Sequence, residues 1–409
     1  LTTPEISIVF PTYKRPEEMR ETIRLLRENV TIPYELFVVD NSPSRDDLAL
    51  ADNEHYIFCG RNAGTEARNM GVECASTPFV LMLDDDSHPF PGSLRHAVDK
   101  LRRAPSYIGG IIGSIEDLAG HQNASLLPTV FHGCGVIFRR ECLMRLGGGY
   151  PRDFGYYGEE YWLSMLLCRE GYMLMPDRQL RICHRLSDCG RSVNKTFFYL
   201  GRNNGPIWQQ FVPEPHLEQV LYDTTRRYEL IAEKENVSDS FEAGRREAET
   251  RVVERTPLTP PQFRRIALLD TFDDLLAHTD PPDKVVLCGS GKFPSLWADF
   301  LISRGVSEVA ISDFNRGLVG HCFGKHEVIS PENAMQLAHD GHALIIGHAS
   351  PVKVEPWHDL ARTHGIAPTR IALVDPGPIG CTGHKRDRRP DPGTHAQLGR
   401  PTLCLAVCA

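Results

Sequence analysis

The chain has 409 residues, with 45 Lys and Arg against 53 Asp and Glu, a formal charge of −8, and 41% hydrophobic and 24% charged residues. That balance is ordinary for a globular protein able to bury more than one core, and it excludes a collagen-like, wholly disordered or small disulfide-scaffold chain. Net negative charge also argues against general nucleic-acid binding.

Residues 6–10, ISIVF, form an apolar run closed by Pro11, the pattern of a buried parallel strand. Pro16 then opens a helix with acids in its first turn. ELFVV at 35–39 is the next strand, 55–58 a short third, and Glu66 to Ala75 a helix. FVLML at 79–83 is a strand that runs straight into Asp84, Asp85 and Asp86. Strands follow at 108–114 and within 132–140. A helix from Glu159 to Arg169 stops at Gly171, and two strands are expected over 172–175 and 180–184. Residues 190–255 are polar and helix-prone, and their charged portion 241–255 reads as a solvated helix or linker.

After the proline-rich 257–261 the alternation resumes. Strands are expected at 284–289, within VSEVAISD, at 343–347 and at 370–375, with helices at SLWADFLISRG and near 356–363. The twelve cysteines include no CxxC and read as reduced, mostly buried thiols, as with Cys168 and Cys288 in apolar runs. Cys183, His184 and Cys189 are a weak zinc candidate. No signal peptide is expected, and no apolar run reaches ~18 residues. The expectation is a cytoplasmic protein with no transmembrane segment and at most peripheral membrane contact.

The three aspartates are the sharpest local signal. They stand at the carboxyl end of a strand, where α/β sheets bind ligands. In extended geometry Asp84 and Asp86 share a side of the chain, and two such carboxylates repel unless a cation lies between them. A divalent ion answers that need and also binds phosphate oxygens. A polar turn or helix cap is the plainer alternative.

Residues 5 to about 186 resemble the inverting glycosyltransferases of family 2, with the GT-A fold. Five segments carry the resemblance in the family's order: SIVFPTYKRP, FVVDNSPS, RNAGTEARNMG, LDDD and GEEYWLSMLLCREGY. It implies that Pro11, Thr12, Tyr13 and Arg15 form the first nucleotide-contacting loop. It further implies that Asp40 reads the uracil of a UDP-sugar, and that Asn62, Arg68, Asp84 and Asp85 meet the donor. Asp86 and His184 would hold Mn2+ or Mg2+. Where the family usually shows Glu–Asp, this chain has Glu159 and Glu160, which puts the catalytic base on Glu160 with Glu159 as its substitute. Trp162 and Tyr157 are expected in the acceptor pocket, although Trp162 could equally be a core anchor beside Leu166.

The organisation expected is α/β: a GT-A nucleotide-diphospho-sugar transferase domain at 1–215, a helical linker at 216–280, a smaller Rossmann-like domain at 281–375 and a flexible tail at 376–409. CGSGKF and Asp313 invite a dinucleotide reading of the second domain, but Pro294 stands where a third glycine is expected. Scaffolding or homo-oligomerisation is the preferred role for that domain, ahead of a nucleotide-sugar or acceptor-related pocket or bound NAD or SAM. The function implied is metal-dependent inverting transfer of a sugar, of hexosyltransferase type, from a UDP-sugar to a carbohydrate or small-molecule hydroxyl or amine. The alternatives are a non-catalytic nucleotide-sugar-binding or scaffold protein and an NAD-linked sugar oxidoreductase.

Overall fold

The computed structural model describes residues 3–186, 192–278, 282–348, 350–367 and 371–373. The expected tail at 376–409 and Cys189 lie outside the described residues.

Nine strands build the first sheet: β1 (Ile6–Thr12), β2 (Tyr34–Asp40), β3 (Glu54–Phe58), β4 (Phe79–Met82), β5 (Ser87–Pro89), β6 (Ile108–Glu116), β7 (Gln122–Asn123), β8 (Val136–Arg139) and β9 (Met173–His184). Their order is β3-β2-β1-β4-β8-β6-β9-β5, with β7 beside β6. Strand β1 is parallel to both neighbours, so β1, β2 and β4 release their carboxyl ends at one edge. Its run, apolar but for the buried Ser7, whose hydroxyl donates to Glu35 at 2.6 Å, is explained by burial on both faces. Ile8 and Phe10 pack with Met19, Ile23 and Leu26 of α1 (Pro16–Asn29). Val9 packs on the opposite side with Ala67 and Val72 of α2 (Ala67–Cys74).

The two strands expected at 172–175 and 180–184 are one. β9 runs through both, and its pairing with β6 shifts between Gly113↔Asp177 and Ser114↔Arg181, so that residues 178–180 bulge out. The polar PDRQ segment, residues 176–179, leads into that bulge, which is why the pattern reads as a break. A helix not expected from the sequence, α3 (Ser93–Arg103), covers the sheet with Leu94, Ala97, Val98 and Leu101. Helices α4 (Arg140–Arg145) and α5 (Glu159–Arg169) complete this part.

Five helices join the two sheets: α6 (Val193–Phe211), α7 (Glu214–Lys234), α8 (Ser238–Glu249), α9 (Pro260–Ile266) and α10 (Leu269–His278). The second sheet has the order β12-β13-β11-β10-β14-β15. Its strands are β10 (Lys284–Cys288), β11 (Glu308–Ser312), β12 (Cys322–Phe323), β13 (His326–Ile329), β14 (Ala343–Ile346) and β15 (Ile371–Leu373). Only the β12–β13 pair is antiparallel. The sheet is crossed by α11 (Pro294–Ser303), α12 (Pro331–His339) and α13 (Pro351–Thr363). The last helix begins five residues before the expected start and carries Pro356 inside it.

One apolar cluster runs without a break from Met165 and Leu166 of α5, through Ile207, Trp208 and Phe211 of α6, to Phe293, Trp297 and Leu301 beside the second sheet. The Trp208 and Phe293 rings meet edge to face with centroids 5.3 Å apart. A polar contact fixes the same junction. Helix α11 has no capping side chain of its own, and Asp223 of α7 supplies one from a distance. Its Oδ2 accepts from the backbone N–H groups of Ser295 at 3.0 Å and Leu296 at 3.2 Å. Asp223→Ala should lower the unfolding free energy by about 1–2 kcal/mol, the worth of a helix cap. Asp223→Asn, which keeps an acceptor, should lose less. Urea titrations of the full chain would show it, and equal midpoints for all three proteins would mean that the cap carries no stability.

Candidate active site

The carboxyl edge of β1, β2 and β4 opens into a cleft of about 570 Å³. Thr12 ends β1 and donates its hydroxyl proton to Asp85 Oδ2 at 2.8 Å. Arg15, just before α1, donates to Asp85 Oδ1 at 2.5 Å and to Asp86 Oδ2 at 3.0 Å. Pairing of Ser87 with His184 across β5 and β9 brings the imidazole to the same turn, and its Nε2 stands 3.0 Å from Asp86 Oδ1. Asp84 is the most open of the three, with a side chain 33% exposed against 5% and 2% for Asp85 and Asp86. Its partner is Arg68 of α2, a buried guanidinium 2.5 Å away.

The carboxylates differ in charge state for physical reasons. Burial pushes the Asp85 carboxyl up to about 7 despite Arg15 and the Thr12 hydroxyl. Burial also acts on Asp86, but the hydrogen bond and charge of His184, with Arg15 behind them, hold it below the usual carboxylate range. On His184 burial works against the imidazolium, yet Asp86 and Cys134 lift its pKa to about 11. Asp84, His184 and the buried Cys134 each place one ligand atom within 4.8 Å of the others.

Glu159 and Glu160 open α5 behind a left-handed Gly158, with φ of 94°. The preceding loop is fastened from α6. The Asn203 amide nitrogen lies 3.0, 2.8 and 2.8 Å from the carbonyl oxygens of Phe154, Tyr156 and Tyr157. The same loop presses on the turn before α2 so closely that a Cβ on Gly64 would stand 2.1 Å from the Gly155 oxygen. Glu159 is buried and its Oε2 has no hydrogen-bond partner among the described residues. Glu160 lines both the cleft and a second cavity of about 240 Å³. Burial and the neighbouring Glu160 drive the Glu159 carboxyl well above its ordinary value, and burial raises Glu160 as well.

Twelve of the expected site residues line the cleft together: Pro11, Thr12, Tyr13, Arg15, Arg68, Asp84, Asp85, Asp86, Tyr157, Glu159, Glu160 and His184. Three do not. Asp40 is fully buried, and its carboxylate accepts from the Ser42 N–H and the Tyr56 hydroxyl, while its neighbour Asn41 faces the cleft. Asn62 is exposed and its Oδ1 accepts from Gly64 N–H at 3.0 Å, bracing the turn. Trp162 lines neither the cleft nor the cavity beside it: it packs edge to face with Phe154 and Phe211, and its Nε1 donates to Gln210 at 2.9 Å. The core-anchor alternative is the one the structure takes.

Sequence reasoning missed Lys195 and Thr196 of α6, His132 and Cys134. All but Cys134 line the cleft. Lys195 follows Ser192, whose Oγ caps the helix, so an N-cap signal marks where the helix begins within the stretch expected to be polar and helix-prone. Nothing local marks His132 or Cys134.

Replacing Arg15 by Met should expose the cost of burying Asp85 and Asp86. Loss of one partner from a buried ion pair costs about 3 kcal/mol, to be read by urea unfolding at pH 7, with Arg15→Lys recovering part of it. An unchanged midpoint would show that Thr12 and His184 suffice.

Residues 7–146 match the family model for glycosyl transferase family 2. No curated protein sequence gives a significant match. Among solved structures, the chain is similar to the mannosyltransferase PcManGT from Pyrobaculum calidifontis in complex with GDP-Man and Mn2+. Identity there is 17% over 75% of this chain and 87% of that one, with a TM-score of 0.40. It is similar to S. aureus TarS 1-349 in complex with UDP-GlcNAc at 14% identity, covering 60% and 91% with a TM-score of 0.40. For GalNAc-T7 with UDP, GalNAc and Mn2+ the identity is 13%, the coverage 70% and 60% and the TM-score 0.46. The segment that matches the glycosyl transferase family 2 model thus builds the first sheet from β1 to β8, the aspartate turn included, and ends at α4.

Proposed function

We propose that this protein transfers a sugar from a UDP-sugar to a hydroxyl or amine of a small acceptor, with inversion at C1. The observation that supports it is the place of Glu160, whose side chain lines both the aspartate-lined cleft and the adjoining cavity. A donor in the cleft and an acceptor in the cavity would meet at that carboxylate. Glu160 takes the proton of the attacking group as its oxygen or nitrogen bonds to C1. On the opposite face the bond from C1 to the diphosphate breaks, and its electron pair leaves with UDP. The base is needed because a sugar hydroxyl is far too weak an acid to ionise unaided.

Arg68 and Lys195 are the cations of the cleft that would meet the diphosphate, and Thr12, Tyr13 and Asn41 line it near the strand ends where the nucleoside would lie. Asp84 and His184, which with Cys134 place ligand atoms within 4.8 Å of one another, would hold Mn2+ or Mg2+, with the hard carboxylate of Asp86 beside them. Such an ion, when bound, neutralises charge building on the leaving diphosphate. Arg15 holds Asp85 and Asp86 in place for that task.

Glu160→Gln should leave UDP affinity, read by calorimetry, close to that of the natural chain, while transfer or slow donor hydrolysis falls about 10²–10⁴-fold. The base must be ionised to work and its pKa is raised by burial, so the rate should climb with pH along a limb lying above the ordinary glutamate range of about 4.3. Full activity in Glu160→Gln would remove it as the base, and GDP bound in preference to UDP would overturn the donor.

A further inference from the structure

The 240 Å³ cavity shares His132, Tyr157 and Glu160 with the cleft. The wall that it does not share contains Lys292, from the glycine turn of the second sheet. Lys292 is 2% exposed. Its ammonium lies 4.3 Å from the centre of the Tyr161 ring, 4.7 Å from Tyr228 and 5.8 Å from Trp208, and it donates to the Tyr228 hydroxyl at 2.6 Å. Among the described residues no carboxylate forms an ion pair with it. Ring faces and one phenol offset part of the cost of burying an ammonium, but two of its three N–H groups remain for another partner.

The second sheet holds this lysine in place. Ser290, between the left-handed Gly289 and Gly291, gives its N–H and hydroxyl to Asp313 Oδ2 at 2.9 and 2.6 Å and receives Arg227 of α7 at 2.5 Å. Asp313, the carboxylate that a dinucleotide reading would aim at a ribose, is spent on that clamp. The cavity is also tied to this part of the chain at Ala124, whose N–H donates to the Ser350 hydroxyl at 3.1 Å. Aromatic and apolar side chains, Phe131, Tyr161, Ile207 and Trp208 among them, supply flat surface against which the C–H face of a sugar ring packs.

We propose that this cavity is the acceptor subsite, and that it takes a single sugar ring carrying a carboxylate or phosphate, with the anion on Lys292 and the reacting hydroxyl at Glu160. The assignment rests on Glu160 being the base of the transferase reaction. The second sheet thereby becomes part of acceptor recognition.

The test is binding to the full chain, by calorimetry or saturation-transfer NMR, of glucuronate, glucose 6-phosphate and glucose, with UDP measured in parallel. Either anion should bind at least about tenfold tighter than glucose, as expected for a charge-assisted contact, and the ratio of the two identifies carboxylate or phosphate. Lys292→Met should abolish that preference and Lys292→Arg should keep much of it. Lys292→Gln serves if the methionine variant does not fold by circular dichroism. Glucose binding as tightly as both anions, or a preference that survives loss of the lysine charge, overturns the proposal. UDP bound without anion preference defeats this assignment and leaves the transferase reading standing. A Lys292-dependent preference in a protein that binds no uridine nucleotide sustains the cavity and defeats the transferase reading instead.

Discussion

Three consecutive carboxylates at the end of a buried strand are the constraint around which the first sheet is arranged. Placed together in a partly dry turn they repel one another, and each must find a cation or a proton. Arg15, Arg68 and His184 come from three separate places in the chain, the start of α1, the start of α2 and the end of β9. Strand order, helix entry and the long β9 therefore converge on the same few ångströms. The arrangement leaves Asp84 the most open of the three and Asp85 and Asp86 buried in the cleft wall, so the three neighbours in sequence are not equivalent in chemistry.

Helix α6 does comparable work between the two sheets. On one side Asn203 secures the loop that carries Tyr157 and leads into Glu159 and Glu160. On another, Trp208 enters the apolar cluster that continues to Phe293 and Trp297. Its first turn brings Lys195 and Thr196 to the cleft. A helix that fastens the loop before the carboxylate pair, lines the cleft and packs toward the second sheet couples their positions. The second sheet is consequently packed into the molecule through a shared core, and its glycine turn ends in a wall of the cavity next to Glu160.

Legibility followed the range of the forces involved. β1, α1, β2, β4 and α5 were plain because apolar runs, helix-opening prolines and acids act over a few residues. The break expected between 175 and 180 was wrong because a bulge is paid for by pairing with β6, which lies some sixty residues away. Helix α3 carries its helical period in Leu94, Ala97, Val98 and Leu101, so its signal too is local. Trp162 was undecided since both its fates place an aromatic ring one turn into α5, and only Phe154, Phe211 and Gln210 settle which.

By itself the sequence determined the alternation of strands and helices, the aspartate turn at a strand end and the pair of glutamates at a helix start. Each is written in contiguous residues whose backbone preferences and polarity need no distant partner. Tertiary structure alone decided which carboxylates are buried, that Asp40 turns inward to Ser42 and Tyr56, and that Asp223 caps a helix more than seventy residues later. It also decided that Lys292 stands among Tyr161, Trp208 and Tyr228. Charge burial and ring stacking depend on what the fold brings within about 6 Å, and no spacing along the chain encodes that distance.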